Sequence, residues 1–150
     1  MVIAIGSDHA GVELKRELSG FLEKKGVKLI DAGPENSGPV DYPDFGAKVS
    51  RMVSSGQVDR GILICGTGIG MSIVANKFPG VRAALCGEPV SARLSRQHND
   101  SNILALGSRL VGSVMALEIL KVWLETPFEG GRHAERLMKI TTVEEKYSKG

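Results

Sequence analysis

Cys65-Gly66-Thr67-Gly68-Ile69-Gly70 places a thiol at the head of a loop with glycine at every second position. Alternating glycines let backbone N–H groups turn toward a bound anion, and a helix beginning there adds its positive end. A phosphate group or a developing oxyanion would fit such a nest. The same amides would favour the thiolate form of Cys65 and stabilise an oxyanion. A base beside an oxyanion hole is what proton abstraction next to a carbonyl requires. Two other uses of a glycine-rich turn do not fit. The Gly-Lys-Ser/Thr ending of a P-loop is missing. A dinucleotide fingerprint would follow the first strand, where Gly6 and Gly11 do not make it and Asp31 is a poor acidic partner. Cys86, which closes another apolar run, reads as a small buried hydrophobe.

Three further groups could join this chemistry, each with a plainer alternative. Asp8 and His9 could position sugar hydroxyls or move protons; an isolated Asp-His pair also caps loops. His98, in His98-Asn99-Asp100, could act as a general acid or base near neutral pH, or be an exposed histidine without a role. Arg132 and Arg136 lie one helical turn apart, so both guanidinium groups could reach one phosphate, or form a solvated basic face. His9, His98 and His133 fall in separate segments without metal-ligand spacing, so no metal and no cofactor are expected.

The elements that must hold these residues follow from hydrophobic pattern. Apolar runs at Val2–Ile5, Val27–Ile30, Gly61–Ile64, Val81–Leu85 and Ile103–Leu106 have the near-continuous apolarity of parallel strands covered on both faces. Between them run helical stripes: Leu14, Leu18, Phe21 and Leu22, stopped by Gly26 at a C-cap position, and Phe45, Val49, Met52 and Val53, with Pro43 in the first turn. The alternation predicts a three-layer α/β/α Rossmann-like single domain, residues 1–150, with a five-stranded parallel sheet. In such a sheet ligands bind beyond the carboxyl ends of the strands, where strand order reverses. Asp8-His9 and the Cys65 loop follow strands; His98 precedes one, so it must reach the site by another route, such as across an interface. Val111–Leu124 is apolar nearly all round, and a helix of that kind needs cover on more than one side. A second subunit is the expected cover, the C-terminal helix the alternative. The loop from Ala32 to Tyr42 is long enough to be functional.

Composition excludes several classes. Of the 150 residues 42% are hydrophobic and 24% charged, and 19 Lys and Arg against 17 Asp and Glu leave no charge excess that calls for nucleic acid. No apolar run approaches the roughly 20 residues of a bilayer span. The Met1–Ile5 run is too short and lacks the basic start of a signal peptide. With two cysteines, no disulfide framework is expected and a reducing, cytoplasmic setting is.

Six motifs then occur in one order from Val2 to the C-terminal helix: Gly-Ser-Asp-His-Ala-Gly from Gly6, Asp41-Tyr42-Pro43-Asp44, the Cys65 loop, His98-Asn99-Asp100 with Asn102, Gly107-Ser108-Arg109, and Gly130-Gly131-Arg132-His133 before Arg136. With them the chain resembles the B-type ribose-5-phosphate isomerases and their relatives acting on allose or galactose 6-phosphate. The resemblance implies a homodimer, or a tetramer, with active sites shared between subunits. It implies interconversion of ribose 5-phosphate and ribulose 5-phosphate through an enediolate, with Cys65 moving the C2 proton. Gly66, Gly68, Ile69 and Gly70 would bind substrate through the loop, with Thr67 assisting. Asp8 and His98 would open the furanose ring, Tyr42 would line the sugar pocket and Asn99 would hold the oxyanion or hydroxyls. His9, Arg109, Arg132 and Arg136 would bind phosphate, with His98, Asn99 and Arg109 supplied by the partner subunit. One branch of this family lacks the cysteine and carries a glutamate after the last loop glycine. Here that position is Met71, which places the chain in the cysteine branch. The rival readings are the same chemistry on allose or galactose 6-phosphate, and a non-catalytic module that binds a phosphorylated ligand. Such a module would have no use for Cys65.

Overall fold

Five strands form one parallel sheet: β1 (Val2–Ser7), β2 (Lys28–Asp31), β3 (Arg60–Cys65), β4 (Ala83–Leu85) and β5 (Ile103–Gly107), in the order β2-β1-β3-β5-β4. This computed structural model describes residues 1–149, so Gly150, the last residue of the expected domain, lies outside the described residues. The helices are α1 (Val12–Lys24), α2 (Tyr42–Ser54), α3 (Ile69–Ala75), α4 (Pro89–Asn99), α5 (Ser113–Glu125) and α6 (Arg132–Tyr147).

Burial explains the layering. Ile3, Ile5, Ile62, Ile64, Leu104 and Leu106 point from the central strands into one core with α1, α4 and α5. Ala4, Leu63, Cys65 and Ile103 point the other way, into a core with α2 and α3. Both faces are covered, as the continuous apolar runs demanded. Gly61 permits the closest approach of α2, because a Cβ there would stand 2.8 Å from Val49 Cγ1. Gly26, at φ +75°, takes the left-handed conformation just after α1, as a C-terminal glycine should. The β4 strand is shorter than the apolar run from Val81. Its edge is closed by the Asn76 side chain, which accepts from Ala83 N–H and donates to Ala83 O at 2.9 and 3.1 Å.

Within one chain, α5 is covered on one side by α1 and α4. Its buried side chains Ala116, Ile119, Leu120 and Trp123 pack with residues of α1 and α4 of the same chain, so neither α6 nor a second subunit is needed for that face. Exposed apolar side chains remain on α5 itself, at Val114 and Met115, and on Ile69 and Ile73 of α3 and Met138, Ile140, Val143 and Tyr147 of α6. Among the described residues no helix is long and apolar enough to cross a membrane.

The order β2-β1-β3 means the chain leaves β1 outward to β2 and then returns to β3. The switch point therefore falls between the carboxyl ends of β1 and β3, where Asp8-His9 and the Cys65 loop emerge.

Candidate active site

Cys65 ends β3 and is buried, while the loop after it bends so tightly that glycine is required. Gly68 has φ +77°, and a Cβ there would stand 2.8 Å from the carbonyl carbon of Leu106. A Cβ on Gly107 would meet the Thr67 carbonyl oxygen at 2.6 Å. Ser108 N–H donates to Cys65 O at 2.9 Å and Arg109 N–H to Gly66 O at 3.0 Å, pinning the loop to the end of β5. Within it Gly68 N–H points at Cys65 Sγ at 3.0 Å. Ile69 N–H is engaged by Thr67 Oγ1 at 3.2 Å, so the Ile69 amide is not free for substrate. The N–H groups of Gly66, Thr67 and Gly70 have no protein partner among the described residues. Because α3 has seven residues, an anion at this loop would be held by the loop amides rather than by a long helix.

Three neighbours wall the loop. The Tyr42 ring lies against Gly70, where a Cβ would meet it at 2.6 Å. The Arg109 side chain lies over Gly66, 3.4 Å from a Cβ built there. Within one chain that seats Arg109 beside its own Cys65 loop, where the resemblance implies the partner's Arg109. Met71 is fully buried against α2. Asp8, buried, accepts from Ala10 and Gly11 N–H at 2.9 and 3.2 Å through one carboxylate oxygen. The capping role of this residue is therefore real, whatever else it does. His9 Nδ1 sits 3.2 Å from both the amide and the carbonyl of Val40, which ties the loop preceding α2 over the end of β1.

The remaining residues are at the opposite end of the sheet. Helix α4 returns from the carboxyl end of β4, so His98 and Asn99 come to rest beside the amino end of β5. There Arg82 Nε donates to the Asn99 and Asp100 carbonyls at 3.0 and 3.1 Å, and Gly61 N–H donates to Asn102 O at 2.8 Å. From Gly61 to Cys65 is roughly four strand residues, about 13 Å at about 3.3 Å each. His98 thus cannot reach the Cys65 loop of its own chain. Arg132 and Arg136 accompany it, both exposed and neither in an ion pair among the described residues.

This end also holds what the sequence pattern did not reveal. His98 and His133 are not in separate places: their rings stack with centroids 4.4 Å apart. Arg96, buried, donates to Asp100 Oδ1 at 2.7 Å and Ser101 O at 2.6 Å, and Trp123 Nε1 donates to Ser101 Oγ at 2.8 Å. Asp100 adopts φ +44° to turn the chain from α4 into β5. The i,i+4 spacing of Arg96 and Asp100 at a helix end was the available signal. Burial of Cys86 pushes its thiol above the ordinary value, partly opposed by hydrogen bonds from Ser91 and Ser95. It stays a protonated core residue, as the sequence suggested.

The fold and site define a class: a parallel α/β domain with a thiol-headed loop of free backbone amides at its switch point. Comparison with known proteins sharpens it. Residues 3–140 match the Ribose/Galactose Isomerase family. The chain is 52% identical over 144 residues to ribose-5-phosphate isomerase B of Escherichia coli K12, covering 96% of this chain and 97% of that one. The structure of Clostridium thermocellum ribose-5-phosphate isomerase B superposes with a TM-score of 0.97 at 58% identity, covering 99% of this chain and 100% of that chain. That of the Mycoplasma genitalium enzyme with bound ribulose-5-phosphate superposes with a TM-score of 0.93 at 42% identity, covering 98% and 97%. The chain belongs to the ribose/galactose isomerase family.

Proposed function

We propose that this protein is an aldose–ketose isomerase that interconverts ribose 5-phosphate and ribulose 5-phosphate with Cys65 as the base. The observation that carries this reading is the Gly68 N–H aimed at Cys65 Sγ at 3.0 Å, in a loop where the amides of Gly66, Thr67 and Gly70 have no protein partner among the described residues. An N–H directed at sulfur is a donor for the anionic form that a base needs. On the open-chain aldose the thiolate takes the C2 proton. The electrons form a C1–C2 double bond and leave the charge on O1, where the amides of Gly66, Thr67 and Gly70 receive it. The O2 proton passes to O1, and the thiol returns its proton to C1 as O2 becomes the ketone oxygen. Each proton lost is regained, so no redox partner is required.

Binding and ring opening need groups from both ends of the sheet. Asp8, His9, Tyr42 and Arg109 stand by the Cys65 loop; His98, Asn99, Arg132 and Arg136 stand at the far end. We therefore assign the functional unit to a homodimer in which the far end of a second copy closes over the Cys65 loop. A two-fold pair makes two such sites, because each copy offers both ends. The exposed apolar faces of α3 and α6 support this reading. So does the cleft of about 770 Å³ beside α6, which is lined by Asn99, Ile140, Val143 and Tyr147.

The test is conversion of ribose 5-phosphate to the ketose by reduced protein in EDTA. Rapid turnover is expected, with a higher kcat/KM than for allose or galactose 6-phosphate. No turnover by folded protein would overturn the assignment to ribose 5-phosphate.

A further inference from the structure

His98 and His133 join the last turn of α4 to the first turn of α6, with ring planes inclined by only 15°. His133 is the one buried side chain of α6, and its Nε2 stands 3.4 Å from Glu129 Oε2. Glu129 is itself tied to α4, since its N–H donates to the Gln97 carbonyl at 3.1 Å. Donor atoms of His98, Glu129 and His133 all lie within 4.8 Å of one another. Metal ligation is not what this arrangement favours. Imidazole lone pairs lie in the ring planes, so stacked rings direct them side by side rather than at one centre.

The arrangement instead suits an uncharged His133 ring, because a charge on one of two touching rings opposes a charge on the other. The other groups facing His133 act on it as well. Burial comes first, then His98, Arg132 and Arg136; together they lower the pKa of His133 against the opposing pull of Glu129. His133 is thus held toward its neutral form.

We propose that His133, stacked on His98 and backed by Glu129, is a positioning residue that holds the His98 ring in the orientation from which it handles the furanose proton. The inference rests on the shared site proposed above and on the ring-opening role that the family resemblance implies for His98. In that step the anomeric O1 hydroxyl loses a proton, the C1–O4 bond breaks and O4 gains a proton, so His98 relays charge without net change.

The test is a double-mutant cycle on ribose 5-phosphate turnover with H98N, H133F and H98N/H133F. Loss of His98 should lower kcat by about 10²-fold, and H133F, which keeps a flat ring but no proton, by about tenfold. KM should stay within about two-fold for H133F, and the double variant should be no slower than H98N, because His133 acts only through His98. Glu129→Gln, at an exposed carboxylate, should show a smaller loss with the same non-additivity. It replaces H133F in the cycle if that variant fails to fold. Multiplied losses, a rise in KM from a displaced arginine pair, or full kcat in H133F would each overturn the inference. An H98N variant with full kcat would instead overturn the role of His98 itself.

Discussion

The two ends of the sheet are built from different materials. At the carboxyl end the chemistry is mostly backbone: a thiol, three unengaged amides and glycines that let strands and loop approach within ordinary contact distance. At the amino end it is side chain: His98, Asn99, Arg132 and Arg136 near two helix termini, the end of α4 braced by an Arg96–Asp100–Ser101 network. The first end can stabilise a charge that forms during reaction, and it does so with rigid neutral donors. The second can attract a charge that the substrate already carries. An enolising sugar-phosphate enzyme needs both, and one chain does not bring them together.

Four substitutions, one of them followed across pH, would break or sharpen that contrast. The largest effect belongs to Cys65. Cys65→Ala should lower kcat by about 10²–10⁴-fold while KM changes little, because the phosphate is held by other groups. Cys86→Ala, at a thiol kept protonated by burial, should leave kcat unchanged, and steady-state kinetics on both variants checks the pair. Next is the far end. Arg136→Ala should raise KM by about 10–10²-fold, the equivalent of about 1.5–3 kcal/mol for a charge-assisted hydrogen bond. Its kcat should be far less affected, since the phosphate does not react. An unchanged KM would remove Arg136 from the phosphate site.

The smallest effect is on stability. The folded-state pKa of His133 is held below its ordinary 6.5, first by burial, so between those two values the unfolded chain binds more protons than the folded one. Stability is then fully present above pH 6.5 and declines as pH falls through that window. Denaturant midpoints measured from pH 7.5 to 5 should fall with acid in the wild type and fall less in H133F. Equal slopes would mean His133 does not titrate as its burial requires.

The same contrast sets what could be read from sequence. The carboxyl-end loop was legible because its parts are contiguous: Cys65 through Gly70 carry thiol, glycines and strand-to-helix position in six residues. The parallel sheet was legible because burial on both faces leaves unbroken apolar runs. The His98–His133–Glu129 contact was not, since it depends on how α6 packs against α4. Nor was the seat of Arg109, set by the turn after β5 that bonds back to Gly66. For α5, apolarity all round correctly said that two sides need cover, but it does not say by what. Within the chain the cover is α1 and α4, while Val114 and Met115 of α5 stay exposed. Asp8 shows the limit of residue type alone, because the cap it makes would look the same in a protein without this chemistry.

The most direct measurement is subunit complementation between C65A and H98N. Each homodimer should be nearly inactive, one lacking the base and the other the ring-opening group. In a mixed dimer one site would carry both lesions and the other neither. Equal amounts unfolded together and refolded should recover about a quarter of wild-type activity, because half the dimers are mixed and each has one intact site of two. Mixed dimers that form without exceeding the sum of the parents would contradict a site shared between the two ends of the sheet.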